Sequence, residues 1–197
     1  MYEVIGGLQS RTFRVIWMLE ELGQPYEHHS ERPHSAKVLE HSTLGKIPVL
    51  LADGEALTDS VAIMTYLADK HGQFTAPAGS IARARQDGMT HQILDELEAP
   101  LWTAARHSFI LPEDQRVPAV KASLSGEFGR NLDRLAARFQ GPYLMGDEVT
   151  VPDFLAVHCL NWARGAKFPE VNGTLAAYAK RMRDRPAFQK VTEMVKG

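Results

Sequence analysis

The pattern of apolar residues changes near residue 75, and this change limits the folds that the chain can adopt. Before it, short runs of strand-forming residues alternate with helical patterns, whereas beyond it the pattern is helical. Residues 73–81 are rich in Pro, Gly, Ala and Ser, a composition typical of a linker. The sequence therefore predicts a small α/β domain over residues 1–74 and an all-α domain over residues 82–197.

The first 30 residues predict a β-α-β unit. Residues 2–5 are short, apolar and rich in strand formers, and a second strand is predicted in the segment PYEHHS. Between them, four apolar residues recur at helical spacing: Val15, Met18, Leu19 and Leu22. Gly23 is a suitable helix stop. We expect Glu20 and Glu21 to face solvent on this helix.

A hairpin and a helix are predicted next. Residues 49–51 and 56–58 have the character of strands, and Asp53-Gly54 between them is a two-residue turn signal. Ser60 then opens an apolar helical pattern that Gly72 closes. The predicted order of the first domain is β-α-β followed by β-β-α.

Composition and charge exclude several classes of function. The 197 residues suffice for a sizeable core. The formal net charge of −2 does not favour binding to nucleic acid or to anionic membranes, which attract clustered positive charge. We find no secretory signal and no apolar window approaching the roughly 18 residues that a membrane span requires. These features predict a cytoplasmic protein.

The single cysteine and the histidines carry less information. Cys159 has no partner for an internal disulfide or a cysteine metal cage, and its apolar neighbours predict a core position. His28 and His29 are adjacent on a predicted strand, so they point to opposite faces. We therefore predict no metal site.

The segment GKIPVLLADGEALTDSVAI, residues 45–63, combines features of a ligand-binding edge. A proline directly before a strand removes one backbone donor. The Asp59-Ser60 pair stands at a helix start, where free N–H groups and the helix dipole favour a carboxylate. Together these features predict an edge that holds a peptide-like acid.

These residues resemble a known family, the cytosolic glutathione transferases of the bacterial type. The resemblance rests on the element order, on the segments GKIPVL and TDSVAI, on RVIWMLEELGQPYE and on GDEVTVPDF, which is similar to the family's helix-capping signature. It implies a thioredoxin-like N-terminal domain and an all-α C-terminal domain. It also implies a homodimer that uses glutathione as co-substrate, without a metal, to modify small hydrophobic electrophiles.

The resemblance assigns the glutathione end of the site. It implies a cis bond between Ile47 and Pro48, which turns the backbone of Ile47 outward to pair with an extended tripeptide. Ser60 would hold the γ-glutamyl carboxylate, Asp59 would orient the same end, and Lys46 would reach the ligand. The alternatives are that Ser60 is only a helix cap and that Lys46 is a solvated surface residue.

The group that activates the thiol is expected between the first strand and the first helix. A free thiol has a pKa of about 8.5, so a hydrogen-bond donor must favour the thiolate. In the Ser- and Cys-type classes of the resembled family, the donor lies just after the first strand, and Gln9 stands at that position here. Ser10, which has the hydroxyl that serine classes use, is the next residue. A backbone N–H of this loop could also donate to the thiolate. The alternative is that Ser10 caps the helix while Arg11 and Arg14 are solvated.

The helical domain is expected to supply the electrophile site. Trp102, Arg106 and Phe109, with His107 beside them, are the candidates for an aromatic-lined pocket between the domains. Core packing of the aromatic residues and surface positions for the others are the alternative. The segment from Thr150 to Asp153 has the spacing of a capping box and is assigned to folding.

Three functions compete. The first is transfer of glutathione to an electrophilic carbon, and the second is another glutathione-dependent reaction, such as peroxide reduction, dehalogenation or isomerisation. The third is a non-enzymatic partner-binding or stress-regulatory role. It is motivated by Gln9, which departs from the Ser or Cys that the resembled family carries at this position. The Ile47-Pro48 and Asp59-Ser60 segments argue against a non-enzymatic role, because a scaffold does not need a glutathione-binding edge.

Overall fold

The computed structural model describes residues 1–171 and 173–196 and divides into two compact units. The first unit is Met1–Ala78 together with Arg183–Gly197, and the second is Gly79–Met182. The division after residue 78 falls inside the predicted linker. The C-terminal segment, which the sequence analysis placed in the helical domain, instead belongs to the first unit. Residues 172 and 197 of that predicted domain lie outside the described residues.

The described residues form four strands and nine α-helices. The strands are β1 (Tyr2–Ile5), β2 (Tyr26–His29), β3 (Val49–Ala52) and β4 (Glu55–Thr58). The helices are α1 (Thr12–Glu21), α2 (Ala36–Leu39), α3 (Ser60–His71), α4 (Ile81–Ile93), α5 (Ala99–Ala105), α6 (Val120–Arg138), α7 (Val151–Gly165), α8 (Gly173–Arg183) and α9 (Pro186–Lys196). None of the helices described combines the length and the apolar character needed to cross a membrane.

A four-stranded mixed sheet organises the first unit. Its strand order is β2-β1-β3-β4, with β1 parallel to β2 and antiparallel to β3. β3 and β4 form the predicted hairpin, in which Asp53 and Gly54 both adopt positive φ, as a tight two-residue turn requires. This sheet and its helices confirm the predicted thioredoxin-like domain.

Helix α1 is more deeply buried than its predicted stripe. The four stripe residues are buried as expected, and Ile16 and Trp17 are also fully buried. A surface helix normally leaves one side to solvent. Here α1 packs against α3 and also against α9, so a second side is covered.

Two carboxylates that were expected to face solvent anchor α9 instead. Glu21 is 8% exposed and accepts two hydrogen bonds from the guanidinium of Arg185, at 2.6 Å from Nε and 2.7 Å from Nη2. Glu20 is 13% exposed and lies 2.7 Å from Nζ of Lys190. A bidentate, partly buried pair is stronger than a solvated one. These pairs explain why the C-terminal segment belongs to the first unit.

In the second unit, α4 and α5 form one continuous helical stretch that contains two π-helical segments, Leu94–Glu98 and Arg106–Ile110. Pro100 lacks the N–H that a regular helix would direct to the carbonyl four residues earlier, that of Glu96. The buried side chain of Asn131 on α6 donates from Nδ2 to this carbonyl at 2.8 Å. The side-chain amide thus replaces the missing backbone donor.

The predicted capping box opens α7 and is confirmed. The fully buried carboxylate of Asp153 accepts hydrogen bonds from the N–H of Thr150 at 2.8 Å, the N–H of Leu144 at 3.0 Å and the hydroxyl of Tyr178 at 2.9 Å. Burial raises the pKa of this carboxyl, while these donors act in the opposite direction. The box therefore joins the loop before α7 to α8.

Cys159 occupies the core position that the sequence predicts. It is fully buried on α7, where Val157 and Leu160 are also buried. Its thiol donates to Oε2 of the buried Glu98 at 3.8 Å. A buried thiol next to a carboxylate is typical of a structural cysteine rather than a reactive one.

The bond between Asn131 and Glu96 can be tested by a double-mutant cycle. We expect Asn131→Ala to lower the free energy of unfolding by about 1 kcal/mol, because the carbonyl of the partly buried Glu96 loses its side-chain partner. In a Pro100→Ala background, which restores an N–H at position 100, the same substitution should cost clearly less. Urea unfolding of the four proteins measures both values. Equal costs in the two backgrounds would contradict this account of the bond.

Candidate functional site

The strand register brings three separate chain segments to one end of the sheet. Val49, the first residue of β3, pairs with Ile5 at the end of β1 and with Thr58 at the end of β4. The segments that continue from these residues therefore meet: Gly6 onward, Ile47-Pro48 and Asp59-Ser60. This juxtaposition contains all the residues predicted for the glutathione end and for thiol activation.

The Ile47-Pro48 segment presents an unpaired backbone at this end of the sheet. The Ile47-Pro48 bond is cis, as predicted. The side chain of Ile47 packs against the buried cluster of Ile5, Val38 and Val49. Its backbone N–H and C=O make no hydrogen bond with the part of the chain that the structure describes. Lys46, immediately before it, is exposed.

Asp59 and Ser60 divide two tasks at the start of α3. Oδ1 of Asp59 accepts hydrogen bonds from the N–H groups of Val61 at 2.9 Å and Ala62 at 3.0 Å, so Asp59 is the helix cap. The alternative in which Ser60 serves only as the cap is therefore wrong. Ser60 is 2% exposed, and its Oγ is buried without a hydrogen-bond partner among the described residues. Such a hydroxyl is unusual in a protein interior.

The hydroxyl of Ser10 participates in the turn that precedes α1. It donates to the carbonyl of Gly7 at 2.7 Å and accepts from the N–H of Thr12 at 3.1 Å. Because a hydroxyl has one proton, donating to a thiolate would require Ser10 to exchange the bond to Gly7. Gln9 is exposed. Arg14 is fully buried, so the alternative in which it is solvated is wrong.

Gly6 is a structural requirement of the site that the sequence analysis did not single out. Its φ is +144°, and a side-chain Cβ at this position would overlap Oγ1 of Thr12 and approach Cβ of Ile47 to 2.9 Å. The Gly-Gly dipeptide indicated a break after the first strand. It did not indicate which glycine allows the loop and the Ile47 segment to approach each other.

Substitution of the two adjacent glycines should have unequal effects. Gly6→Ala should lower the free energy of unfolding by about 2 kcal/mol or more, because it combines overlap with an unfavourable φ. Gly7→Ala is the matched control: the nearest atom to its Cβ is the carbonyl oxygen of Glu31 at 3.6 Å, an ordinary contact. Urea unfolding compares them, and equal losses of stability would contradict the close approach at Gly6.

The residues predicted for the electrophile site lie close together in the second unit. Trp102 is half-buried on α5, whereas Arg106 and Phe109 lie in the second π-helical segment and are exposed. Phe109 is 65% exposed, so the alternative of core packing is wrong for this residue. His107 accepts a hydrogen bond at Nδ1 from the N–H of Val117 at 3.2 Å.

One group of side chains in the described part of the chain has ligand atoms close enough together for a metal ion: Glu3, Glu27 and His29. Nε2 of His29 lies 3.3 Å from Oε2 of Glu3, within hydrogen-bond distance, and 3.4 Å from Oε1 of Glu27, so contacts among the three side chains account for the cluster. His28 instead contacts the carbonyl of Gly6 at 2.8 Å, which confirms that the two histidines diverge. The absence of a metal role stays a prediction.

Comparison with known proteins places the chain in a family. Family models described as the N-terminal and C-terminal domains of glutathione S-transferase match residues 10–75 and 98–186. The chain is 32% identical over 150 residues to glutathione S-transferase GstA of Escherichia coli O157:H7, a match that covers 74% of this chain and 71% of that protein.

Solved structures share the fold. Glutathione transferase URE2P6 from Phanerochaete chrysosporium, crystallised with oxidised glutathione, matches with a TM-score of 0.82 at 24% identity and covers 99% of this chain and 96% of its own. Beta-etherase LigF from Sphingobium sp. strain SYK-6 matches with a TM-score of 0.82 at 20% identity and covers 98% of this chain and 99% of its own. These two structures show the shared fold, and the sequence matches over both halves show that the chain belongs to the glutathione S-transferase family.

Proposed function

We propose that this protein is a glutathione transferase that adds the thiolate of glutathione to small hydrophobic electrophiles. The observation that carries the proposal is the buried, unpartnered hydroxyl of Ser60 at the start of α3. A hydroxyl kept from water without a partner costs free energy in the folded protein unless a ligand satisfies it. Its place at the start of α3, where the helix dipole is positive, favours a carboxylate as that ligand.

The geometry supports a specific pose for glutathione. The backbone N–H and C=O of Ile47 would pair with the cysteinyl part of the peptide, in the manner of an added strand. The γ-glutamyl carboxylate would accept from Ser60 and from the start of α3. Oδ2 of Asp59 makes no hydrogen bond with the described residues and would accept from the γ-glutamyl ammonium. Lys46 would approach the ligand from the exposed side.

The proposed chemistry requires a thiolate. The thiol proton leaves to solvent, and a donor from the loop after β1 favours the resulting anion by lowering the thiol pKa. The sulfur lone pair then forms a C–S bond, and the leaving group departs with the electron pair of its own bond. We propose Ser10 as the donor, with Gln9 or a backbone N–H as the alternative.

The electrophile and the assembly are also proposals. We propose that the electrophile contacts Trp102, Arg106 and Phe109. The test is the KM for the electrophile, measured by steady-state kinetics of the three alanine variants. Family membership supports a homodimer, and sedimentation would test it. A second candidate function is another glutathione-dependent reaction, because the fold is shared with LigF, a beta-etherase.

The two residues at the start of α3 should respond differently to substitution. Ser60→Ala should leave the free energy of unfolding unchanged or raise it by up to about 1 kcal/mol, since it removes an unpartnered buried group. The same variant should weaken glutathione binding about tenfold, the loss expected for a hydrogen bond to a carboxylate. Urea unfolding and calorimetric titration measure the two effects.

Asp59→Ala is the matched control for the stability measurement. It should lower stability by about 1 kcal/mol, because α3 loses its cap. If Ser60→Ala bound glutathione as the native protein does, Ser60 would not be the ligand contact. No binding to the native protein at millimolar glutathione would reject the enzyme proposal and favour a partner-binding role.

The thiol-activating group can be identified by comparing neighbouring variants. Ser10→Ala should lower kcat/KM in a conjugation assay by about 10- to 100-fold, as loss of one donor to a developing anion does. It should also raise the pKa of the thiol of bound glutathione, which a pH titration of thiolate absorbance measures. Ser10→Thr keeps a hydroxyl and should retain most activity. If Gln9→Ala produces the loss instead, the role belongs to Gln9, and if neither does, to a backbone N–H.

A further inference from the structure

Helix α9 contributes an aromatic side chain to the first turns of α1. Phe188 is 6% exposed, and its ring lies edge-on to those of Phe13, at a centroid distance of 5.3 Å, and Trp17, at 4.9 Å. Phe13 and Trp17 also contact each other, at 6.3 Å. These separations and tilts are those of favourable aromatic pairs. The three rings, Phe13, Trp17 and Phe188, form the aromatic cluster.

Phe13 of the aromatic cluster is separated from the loop that carries Ser10 by a single residue, Thr12. The N–H of Phe13 donates to the carbonyl of Ser10 at 3.1 Å, and the N–H of Thr12 donates to the hydroxyl of Ser10 at 3.1 Å. The first turn of α1 therefore holds Ser10 through its backbone and contacts Phe188 through the ring of Phe13. A displacement of that ring would be transmitted to Ser10 through a single turn.

The ionic contacts of α9 lie at the other end of α1. Lys190 of α9 pairs with Glu20, and Arg185, immediately before α9, pairs with Glu21; Glu20 and Glu21 are the last two residues of α1. Oε1 of Glu21 also accepts a hydrogen bond from Nε1 of Trp17 at 3.0 Å, so the Arg185 pair is linked to the aromatic cluster. The pair of Lys190 with Glu20 includes no residue of the aromatic cluster, so this ionic attachment is separable from the contact of Phe188 with Phe13.

We infer that Phe188 is a positioning residue, which acts through Phe13 to hold the Ser10 loop in its hydrogen-bonded conformation. The consequence for catalysis rests on the proposed function. Small displacements of catalytic groups reduce rates strongly, whereas binding of the remainder of a substrate is retained. Loss of the Phe188 ring should therefore lower kcat while leaving glutathione affinity nearly unchanged, since Ile47 and Ser60 do not belong to the aromatic cluster.

The structural part of the inference can be tested without glutathione. Hydrogen exchange of the full-length protein should be compared for Phe188→Ala, Phe188→Tyr and the control Lys190→Ala, which breaks the ion pair to Glu20. In Phe188→Ala, the amides of Thr12 and Phe13 should exchange at least about fivefold faster. The reason is that the first turn of α1 can then open without breaking ring contacts with Phe188. Phe188→Tyr should restore protection, and Lys190→Ala should leave these two amides unchanged.

Equal protection of these amides in Phe188→Ala and the native protein would overturn the inference. So would a uniform increase along α1 in both Phe188→Ala and Lys190→Ala, because that result would indicate general loosening. This readout keeps its meaning even if the native protein neither binds nor turns over glutathione, a result that would reject the proposed function alone.

The catalytic part uses conjugation kinetics on the same variants. Phe188→Ala should lower kcat about tenfold and change the glutathione dissociation constant by less than about twofold, with recovery in Phe188→Tyr. It should also raise the pKa of bound glutathione, a shift that lost stability alone would not produce. Native turnover with an unchanged kcat in Phe188→Ala would overturn the positioning role and leave the transferase proposal intact.

Discussion

Val49 pairs with Ile5 on one side and with Thr58 on the other, and the candidate site depends on this double pairing. Because β3 is antiparallel to both neighbours, its first residue meets the last residues of β1 and β4. The segments at Ile47 and Ser60 therefore become neighbours of the segment at Gly6, which lies more than forty residues earlier in the chain. The same register leaves the backbone of Ile47 unpaired by any described residue, so an extended peptide has an edge to join.

The start of α3 combines a stabilising residue with a destabilising one. Asp59 satisfies two N–H groups of the first turn, although its positive φ of 69° is unfavourable for a residue with a side chain. Ser60 adds a buried hydroxyl without a partner among the described residues. Unfavourable groups of this kind persist in folded proteins where a ligand uses them, and the surrounding packing compensates for their cost.

The C-terminal helix shows what the periodicity of apolar residues does not predict. Its apolar pattern predicts a helix, and α9 is one, but the pattern does not indicate which body the helix packs against. The Glu20 and Glu21 side chains look like a solvated pair in the sequence, because their partners Lys190 and Arg185 lie more than 160 residues away. A sheet of four short strands buries little surface by itself, so an additional helix over α1 enlarges the core of the first unit.

The sequence by itself determined the features that arise within a few residues. These include the strand and helix order, the turn at Asp53-Gly54, the capping box at Thr150 and Asp153, and the family to which the chain belongs. Tertiary structure alone decided that the Ser10 proton is directed to Gly7, that Arg14 is buried, that Asp59 rather than Ser60 caps α3, and that Phe188 contacts Phe13. The physical reason is that propensity and periodicity act along the chain, whereas burial and hydrogen-bond partners depend on residues that only the folded chain brings together.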